Sequence, residues 1–233
     1  MQSSRSVGRT VLTAGLVVWA LAAAAQTPPG REQAIEKPAM TPRPPLLFRE
    51  TWRLPPHTGE PTDENMRFTP AVVTNARVEV KLYGPDASVI RAAEHEGRID
   101  LWTGMASSPV AVTVRDRRNQ VDLTGAARLR WIVRTNAIHL LHPVVKLADG
   151  TLIVGDRGIT TYGEFLQLEV AFSGMRWYAL DPARVVVLTE VTNPDLSRVD
   201  EVGLATLSPG GGHGIAGSAN LSTVELFANP VPR

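Results

Sequence analysis

The run Trp177-Tyr178-Ala179-Leu180-Asp181-Pro182 opens the stretch, residues 177–233, whose reading decides the fold. A β-branched run follows at 184–190, then the turn Pro194-Asp195-Leu196-Ser197 and the segment Val199-Asp200-Glu201-Val202-Gly203. A glycine cluster, Gly210 to Gly212 with Gly214 and an embedded His213, precedes the closing run Thr223-Val224-Glu225-Leu226-Phe227-Ala228. Strand, loop, strand, glycine-rich crossing and final strand is the order in which a two-sheet β-sandwich closes.

Upstream, short strand signals recur every ten or so residues. Val78-Glu79-Val80-Lys81-Leu82-Tyr83, Ile99-Asp100-Leu101-Trp102 and Val110-Ala111-Val112-Thr113-Val114 each suit a pleated strand. Leu129-Arg130-Trp131-Ile132-Val133-Arg134 is another, with Leu129, Trp131 and Val133 expected on the core side and the arginines outside. Val144 to Leu147 and Thr151 to Val154 flank Ala148-Asp149-Gly150, a hairpin signal. A helical turn is expected around Ser88 to His95, and residues 55–70 read as a long loop rich in proline and charge. Few helices and many evenly spaced strands predict an all-β, antiparallel, two-sheet jelly-roll sandwich.

The beginning of the chain is of another kind. Arg5 and Arg9 precede an apolar run at 11–25 that ends Ala23-Ala24-Ala25-Gln26, the small-x-small pattern of a signal-peptide cleavage site. Residues 26–45 carry six prolines and read as a semi-rigid tether. The expected organisation is therefore a leader at 1–25, a linker at 26–45 and a sandwich domain at 46–230, exported to a periplasm or the exterior. Without the leader, 22 basic residues stand against 23 acidic ones, a net charge of −1. That balance offers nothing to nucleic acid, and no second apolar run is long enough to span a membrane. Cysteine is absent, which excludes disulfides, thiol catalysis and cysteine zinc sites.

Several segments together resemble secreted bacterial domains of the galactose-binding-like jelly-roll kind, a broad group that includes many carbohydrate-binding modules. They are Leu101-Trp102-Thr103-Gly104, Ser108 to Arg115, Val145 to Thr151, Val199 to Gly203, the Gly210 to Gly214 cluster and Val224-Glu225-Leu226. The resemblance spans about residues 48–233. It implies a sandwich that binds a glycan or cell-envelope polymer through exposed aromatics on loops or on a concave sheet, in some members beside a structural calcium ion. No cofactor other than calcium is implied. Asp149, Asp181 and Asp200 are the candidate oxygen ligands, with Asp156 and Asp195 as further donors.

Sugar rings stack on aromatic side chains that are held flat and partly wet. Trp102 ends a strand and runs into Thr103-Gly104, which places it at a rim. Trp177 and Tyr178 are adjacent, so on a regular strand one of them faces solvent, with Arg176 beside them. Trp102, Trp177, Tyr178 and Arg176 are therefore the candidate ligand-binding residues, and Trp131 is assigned to the core. No catalytic residue is assigned. No Gly-x-Ser-x-Gly elbow or His-Glu-x-x-His motif occurs. His139 and His142 fall on opposite faces of a strand, as do Asp200 and Glu201, and Glu164 and Glu169 point apart. Asn220-Leu221-Ser222 has the spacing of a glycosylation acceptor but lies against the last strand. The leading expectation is an exported, non-catalytic binding module. The alternatives are a hydrolase or lyase acting on saccharides, which needs paired acids, and an envelope scaffold that binds protein through an exposed apolar patch. The oligomeric state is left open.

Overall fold

The computed structural model describes residues 42–136, 139–208 and 217–233. The leader, most of the proline-rich segment and the glycine cluster at 210–214 lie outside the described residues. In chain order the strands are β1 (Leu46–Glu50), β2 (Val78–Tyr83), β3 (Arg91–His95), β4 (Arg98–Trp102), β5 (Val110–Asp116), β6 (Asn119–Asp122), β7 (Arg128–Thr135) and β8 (Leu141–Leu147). They continue with β9 (Leu152–Gly155), β10 (Leu166–Ala171), β11 (Trp177–Asp181), β12 (Val186–Val191), β13 (Val199–Thr206), β14 (Ala219–Phe227) and β15 (Asn229–Pro232).

All pairings are antiparallel, and they build two sheets. The smaller runs β10-β7-β14-β4-β3 with β1 on β14, and the larger runs β12-β11-β9-β8-β13-β5-β2 with β6 and β15 attached. Their facing sides form the core. Leu129, Trp131, Val133, Leu101, Leu221 and Leu226 come from the smaller sheet, and Val112, Val114, Val145, Ile153, Val202 and Leu204 from the larger. β7 alternates as its sequence predicts, with Leu129, Trp131 and Val133 buried and Arg128, Arg130 and Arg134 toward water. The Ala148-Asp149-Gly150 turn joins β8 to β9 with Val144 opposite Val154, and Gly150 takes φ +90°.

Residues 88–95 differ from expectation. A short 3-10 turn, Ala87–Val89, leads into strand β3, which hairpins into β4 through Glu96 (φ +53°) and Gly97 (φ +71°). Two consecutive left-handed residues make the turn whose twist suits a two-residue hairpin, and the fully buried Ala92 ties β3 to the core. This strand-forming pressure outweighs any local helical preference.

β14 is shared. One of its edges pairs with β4 at Asn220 and Leu221, then with β1 from Val224 onward. Between these two partners its register against β7 slips, so that Ser222 and Thr223 together oppose Ile132, a β-bulge. The bulge would leave carbonyls without ladder partners. Trp52 Nε1 donates to Leu221 O at 2.6 Å and to Ser222 O at 2.9 Å, and its ring is buried in the core.

The larger sheet has a second buried face. β5 is buried at every position from Val110 to Val114, so no side of it faces water. Ala111, Val144, Leu152, Val154, Leu180, Val185 and Ala205 form a second apolar cluster on that side, with Tyr83 and Tyr178 packed against it. The turn after β11 closes over it: Gly84 N donates to Pro182 O at 3.2 Å, joining one end of the curled sheet to the other. Gly203 lies on the floor, where a Cβ would come within 2.0 Å of Val112 O.

Trp52→Phe retains most of the packing but strands two buried carbonyls. A loss of about 1–3 kcal/mol is expected, measurable as a lower urea midpoint with unchanged m-value.

Candidate functional site

The site is a row of side chains on the outer face of the smaller sheet. Trp102 pairs with Arg91 on one side and with Asn220 on the other, and Asn220 pairs with Arg134. One register line thus carries Arg91, Trp102, Asn220 and Arg134 across four strands. The Trp102 indole is half-buried. The Arg91 guanidinium lies 4.2 Å from its ring centroid, and the His95 ring 5.9 Å away at 49°. The chain folds back on the indole at Gly104, where a Cβ would lie 2.1 Å from Trp102 Cζ2. Both Arg91 and Gly104 therefore restrict access to the ring.

Beside Trp102 on the same face, and sharing Asn220 with the row, is a polar triad whose acid is buried and whose imidazole is half-buried. Asp100 is fully buried and accepts from Asn220 Nδ2 at 2.9 Å. His95 Nδ1 lies 3.0 Å from Asp100 Oδ2 and 3.0 Å from Asn220 Nδ2. When protonated, Nδ1 donates to the carboxylate; when bare, it accepts from the amide. Asn220 is thus committed inside the protein, which removes it as a glycosylation acceptor. On the other flank, Arg134 pairs with Glu96 at 3.0 Å. Its Nε is buried with no partner among the described residues. Phe165 sits between two arginines, with Arg98 Cζ 6.0 Å and Arg134 Cζ 5.9 Å from its ring centroid.

The aromatic that sequence reasoning passed over is Tyr162. It is 81 % exposed and held at φ +53°. Its loop is clamped to the last residue of β7: Thr135 N donates to Thr161 Oγ1 at 2.8 Å, Thr161 N to Thr135 Oγ1 at 2.9 Å, and Gly163 N to Thr135 O at 2.8 Å. Thr135 and Thr161 are both buried, so a wet ring stands on a dry anchor next to Arg134 in sequence. A bulky residue in left-handed backbone costs of order 1–3 kcal/mol, a strain that tends to collect at ligand-contacting positions. The signal available in the sequence was Thr160-Thr161-Tyr162-Gly163, an aromatic before a turn glycine.

The other candidates lie elsewhere. Trp177 does not present its ring to solvent: it is 3 % exposed and stacks on Phe172 at 6.5 Å, because its side of β11 faces the core. Tyr178 points the opposite way, into the second apolar cluster, and is half-buried. Arg176 is exposed and pairs with Asp156 at 3.1 Å, lining a groove of about 280 Å³ with Glu190 and Pro194. Trp102, Trp177 and Tyr178 thus occupy three different sides of the two sheets and form no single platform.

Asp149, Asp181 and Asp200 are likewise apart in role. Asp149 accepts from Thr151 N at 2.8 Å, which holds its carboxyl below the usual range, and Asp181 accepts from Ala183 N at 2.8 Å. Asp200 accepts from Arg115 at 3.2 Å and pairs with Arg233. Among the described residues no three His, Asp or Glu side chains gather as metal ligands.

A second polar cluster was not foreseen. Glu201, buried on the curled face, accepts from Tyr83 Oη at 2.7 Å and Thr113 Oγ1 at 2.6 Å, with Lys146 Nζ at 3.3 Å. Burial first, and then the Glu201 carboxylate, push the Tyr83 hydroxyl far above its ordinary value. Beside it, Glu79 is held at about 2 by a hydrogen bond from Lys81 and further bonds from Arg115.

No protein-family model matches this chain, nor does any curated protein. Among solved structures it is similar to the family 11 carbohydrate-binding module of the cellulosomal cellulase Lic26A-Cel5E of Clostridium thermocellum. Identity is 11 %, coverage is 66 % of this chain and 85 % of that one, and the TM-score is 0.39. It is also similar to the agarase AgWH50C, at 14 % identity over 68 % of this chain and 23 % of the agarase, TM-score 0.38. The Emp47p carbohydrate recognition domain gives 9 % identity over 66 % and 90 %, TM-score 0.31.

Two outcomes are expected. Tyr162→Gly relieves the left-handed strain and raises the thermal midpoint by a few degrees, equivalent to about 1 kcal/mol; scanning calorimetry reads it directly. For Glu79 the folded-state value of about 2 lies below the ordinary 4.5, so its charge stabilises the fold fully above about pH 4.5. That contribution is lost as pH falls toward 2. Urea midpoints measured down this range should fall less steeply for Glu79→Gln than for the parent protein.

Proposed function

We propose that this chain is an exported, non-catalytic glycan-binding module whose contact surface is the Tyr162 loop with the adjoining Trp102–Arg134 row. The carrying observation is Tyr162, a wet aromatic ring pinned in strained backbone by a buried threonine clamp. An exposed rigid ring offers stacking area at small entropic cost. Arg98, Arg134, Glu96 and the His95 edge supply hydrogen-bonding groups of both polarities nearby. Together with the exposed ring they suit a hydroxyl-rich polymer.

The arrangement of acids supports binding over hydrolysis. Asp100 is sealed under His95 and Asn220, and Glu96 is tied to Arg134. Glu50, whose carboxyl burial raises, is fully buried and accepts from Thr74 N, Thr74 Oγ1 and Asn75 N, so its oxygens are taken up inside the protein. A saccharide hydrolase needs a raised acid facing its substrate. Export rests on the apolar run at 11–25 and the Ala23-Ala24-Ala25-Gln26 pattern. No helix of the described residues is long and apolar enough to cross a membrane.

Affinity electrophoresis through gels holding a panel of neutral and acidic polysaccharides tests this reading. Retardation by at least one polymer is expected, without released reducing sugar and unchanged by chelation of calcium. Tyr162→Ala should weaken retention about tenfold or more, and Trp102→Ala less, because the Trp102 ring is already flanked. Released sugar would move the assignment to a hydrolase; retention unaffected by Tyr162→Ala would remove the proposed surface. Expressed with its leader in a bacterial host, the protein should reach the periplasm beginning at Gln26, read by intact mass.

A further inference from the structure

The outer face of the smaller sheet is basic. Its outward positions carry Arg49 on β1, Arg91 on β3, Arg98 on β4 and Arg128, Arg130 and Arg134 on β7, against Asp100, Glu169 and Glu225. Asp100 is taken up by His95 and Asn220. The other two acids are each divided between two guanidiniums, Glu169 between Arg43 and Arg128 and Glu225 between Arg49 and Arg130. Glu96 and Asp63, from neighbouring turns, pair with Arg134 and Arg91. Arg98 is exposed and has no carboxylate partner among the described residues. Without the leader the whole chain is slightly acidic, so the surplus belongs to this face and not to the composition.

Two places on the face collect donors that lack an acid. At the Tyr162 loop, Arg98 and Arg134 flank Phe165, with Cζ atoms 6.0 Å and 5.9 Å from its ring centroid, and Arg134 Nε is buried without a partner. Farther along β7, beside the bulge of β14, a recess of about 160 Å³ is lined by Arg49, Arg130, Gln167, Thr223 and Glu225. There Arg130 Nε donates to Glu225 Oε2 at 2.6 Å and Arg49 Nε stands 3.6 Å from Oε1. One carboxylate cannot occupy every N–H of two guanidiniums, so each keeps donors without an acid. Arg130 and Arg134 are four residues apart on one strand, roughly 13 Å at ~3.3 Å per residue. Positive groups fixed at that separation match a chain molecule with repeated negative charges better than a single small anion.

We infer that the glycan taken by this surface is an acidic polysaccharide, which rests on the glycan-binding reading above. Its carboxylate or sulfate groups pair with Arg98 and Arg134 while a sugar ring stacks on Tyr162, and a group farther along the polymer enters the recess between Arg49 and Arg130. Guanidinium forks bond such oxyanions through two parallel contacts. Glu164, exposed in the Tyr162 loop, is the acid that opposes such a ligand.

Biolayer interferometry of the purified chain over immobilised polymers tests this, with polygalacturonate set against its methyl ester and dextran sulfate against dextran. Each pair differs chiefly in charge, and the two acids separate carboxylate from sulfate as the source. At least one acidic member should bind about tenfold or more tightly than its neutral counterpart near about 0.05 M salt, and the margin should close near about 0.5 M as exposed charges are screened. Arg98→Gln and Arg49→Gln should each cut that affinity severalfold with an unchanged thermal midpoint, and Glu164→Gln should raise it. Tyr162→Ala should weaken binding at both salt concentrations. Neutral members bound as tightly as acidic ones overturn the inference and leave the glycan-binding reading standing. Binding to none of the four overturns it too, and retention on the wider panel then decides whether that reading survives. Equal binding to polyglutamate, which carries the charge without the sugar, also overturns it, as does affinity for the acidic member that none of the three charge changes moves.

Discussion

The indole N–H of Trp52 on the bulge of β14 is the contact on which the smaller sheet depends. One strand edge serves two partners, β4 and then β1, and the change of partner requires an extra residue that disrupts the ladder. Buried carbonyls without donors are costly, and Trp52 supplies both bonds from a single ring. With that junction held, Asn220 lies beside Trp102 and joins Asp100 and His95 on the same face, and β7 delivers Thr135 to the Tyr162 loop. The proposed contact surface is thus positioned from a residue on the opposite side of the sheet.

The larger sheet solves a different problem. Its curl buries a second face, so residues that would face water in an open sandwich must be small, apolar or paired. Ala111, Gly203 and Ala205 leave space on the floor, and Val185 fills it from above in a left-handed conformation that a β-branched residue rarely adopts. Glu201 is the carboxylate caught in this face. Three donors satisfy it, and an unpaired buried charge there would be far more costly than the network that surrounds it. Lys146 faces Glu201 directly across the β8–β13 pair, and Tyr83 reaches the same carboxylate from β2, on the far side of β5.

Rigidity and exposure are divided between neighbouring residues at the proposed surface. Thr135 and Thr161 are dry and exchange hydrogen bonds, while the ring one residue further on is almost wholly in water. Trp102 shows the opposite compromise, gaining a fixed orientation from Arg91 and Gly104 at the expense of free stacking area. A surface built in this way loses little entropy when a flat ligand settles on it.

Period-two alternation is a local property, and so the antiparallel two-sheet class, the Asp149-Gly150 hairpin and the core position of Trp131 were all legible in the chain. The same alternation showed that Trp177 and Tyr178 face opposite ways, and likewise Asp200 and Glu201. It could not show which way was wet. That depends on strands far apart in sequence: β13 lies between β5 and β8, and the turn after β11 closes onto Gly84, so the middle of the larger sheet is covered on both sides, Trp177 and Glu201 are buried and Tyr178 is half-buried. Tyr162 escaped notice for the complementary reason. Its strain and exposure arise next to a clamp between Thr161 and Thr135, twenty-six residues apart in sequence. The sequence by itself determined which residues alternate; tertiary pairing alone decided which faces met water, because burial is a property of what packs against a strand and not of the strand.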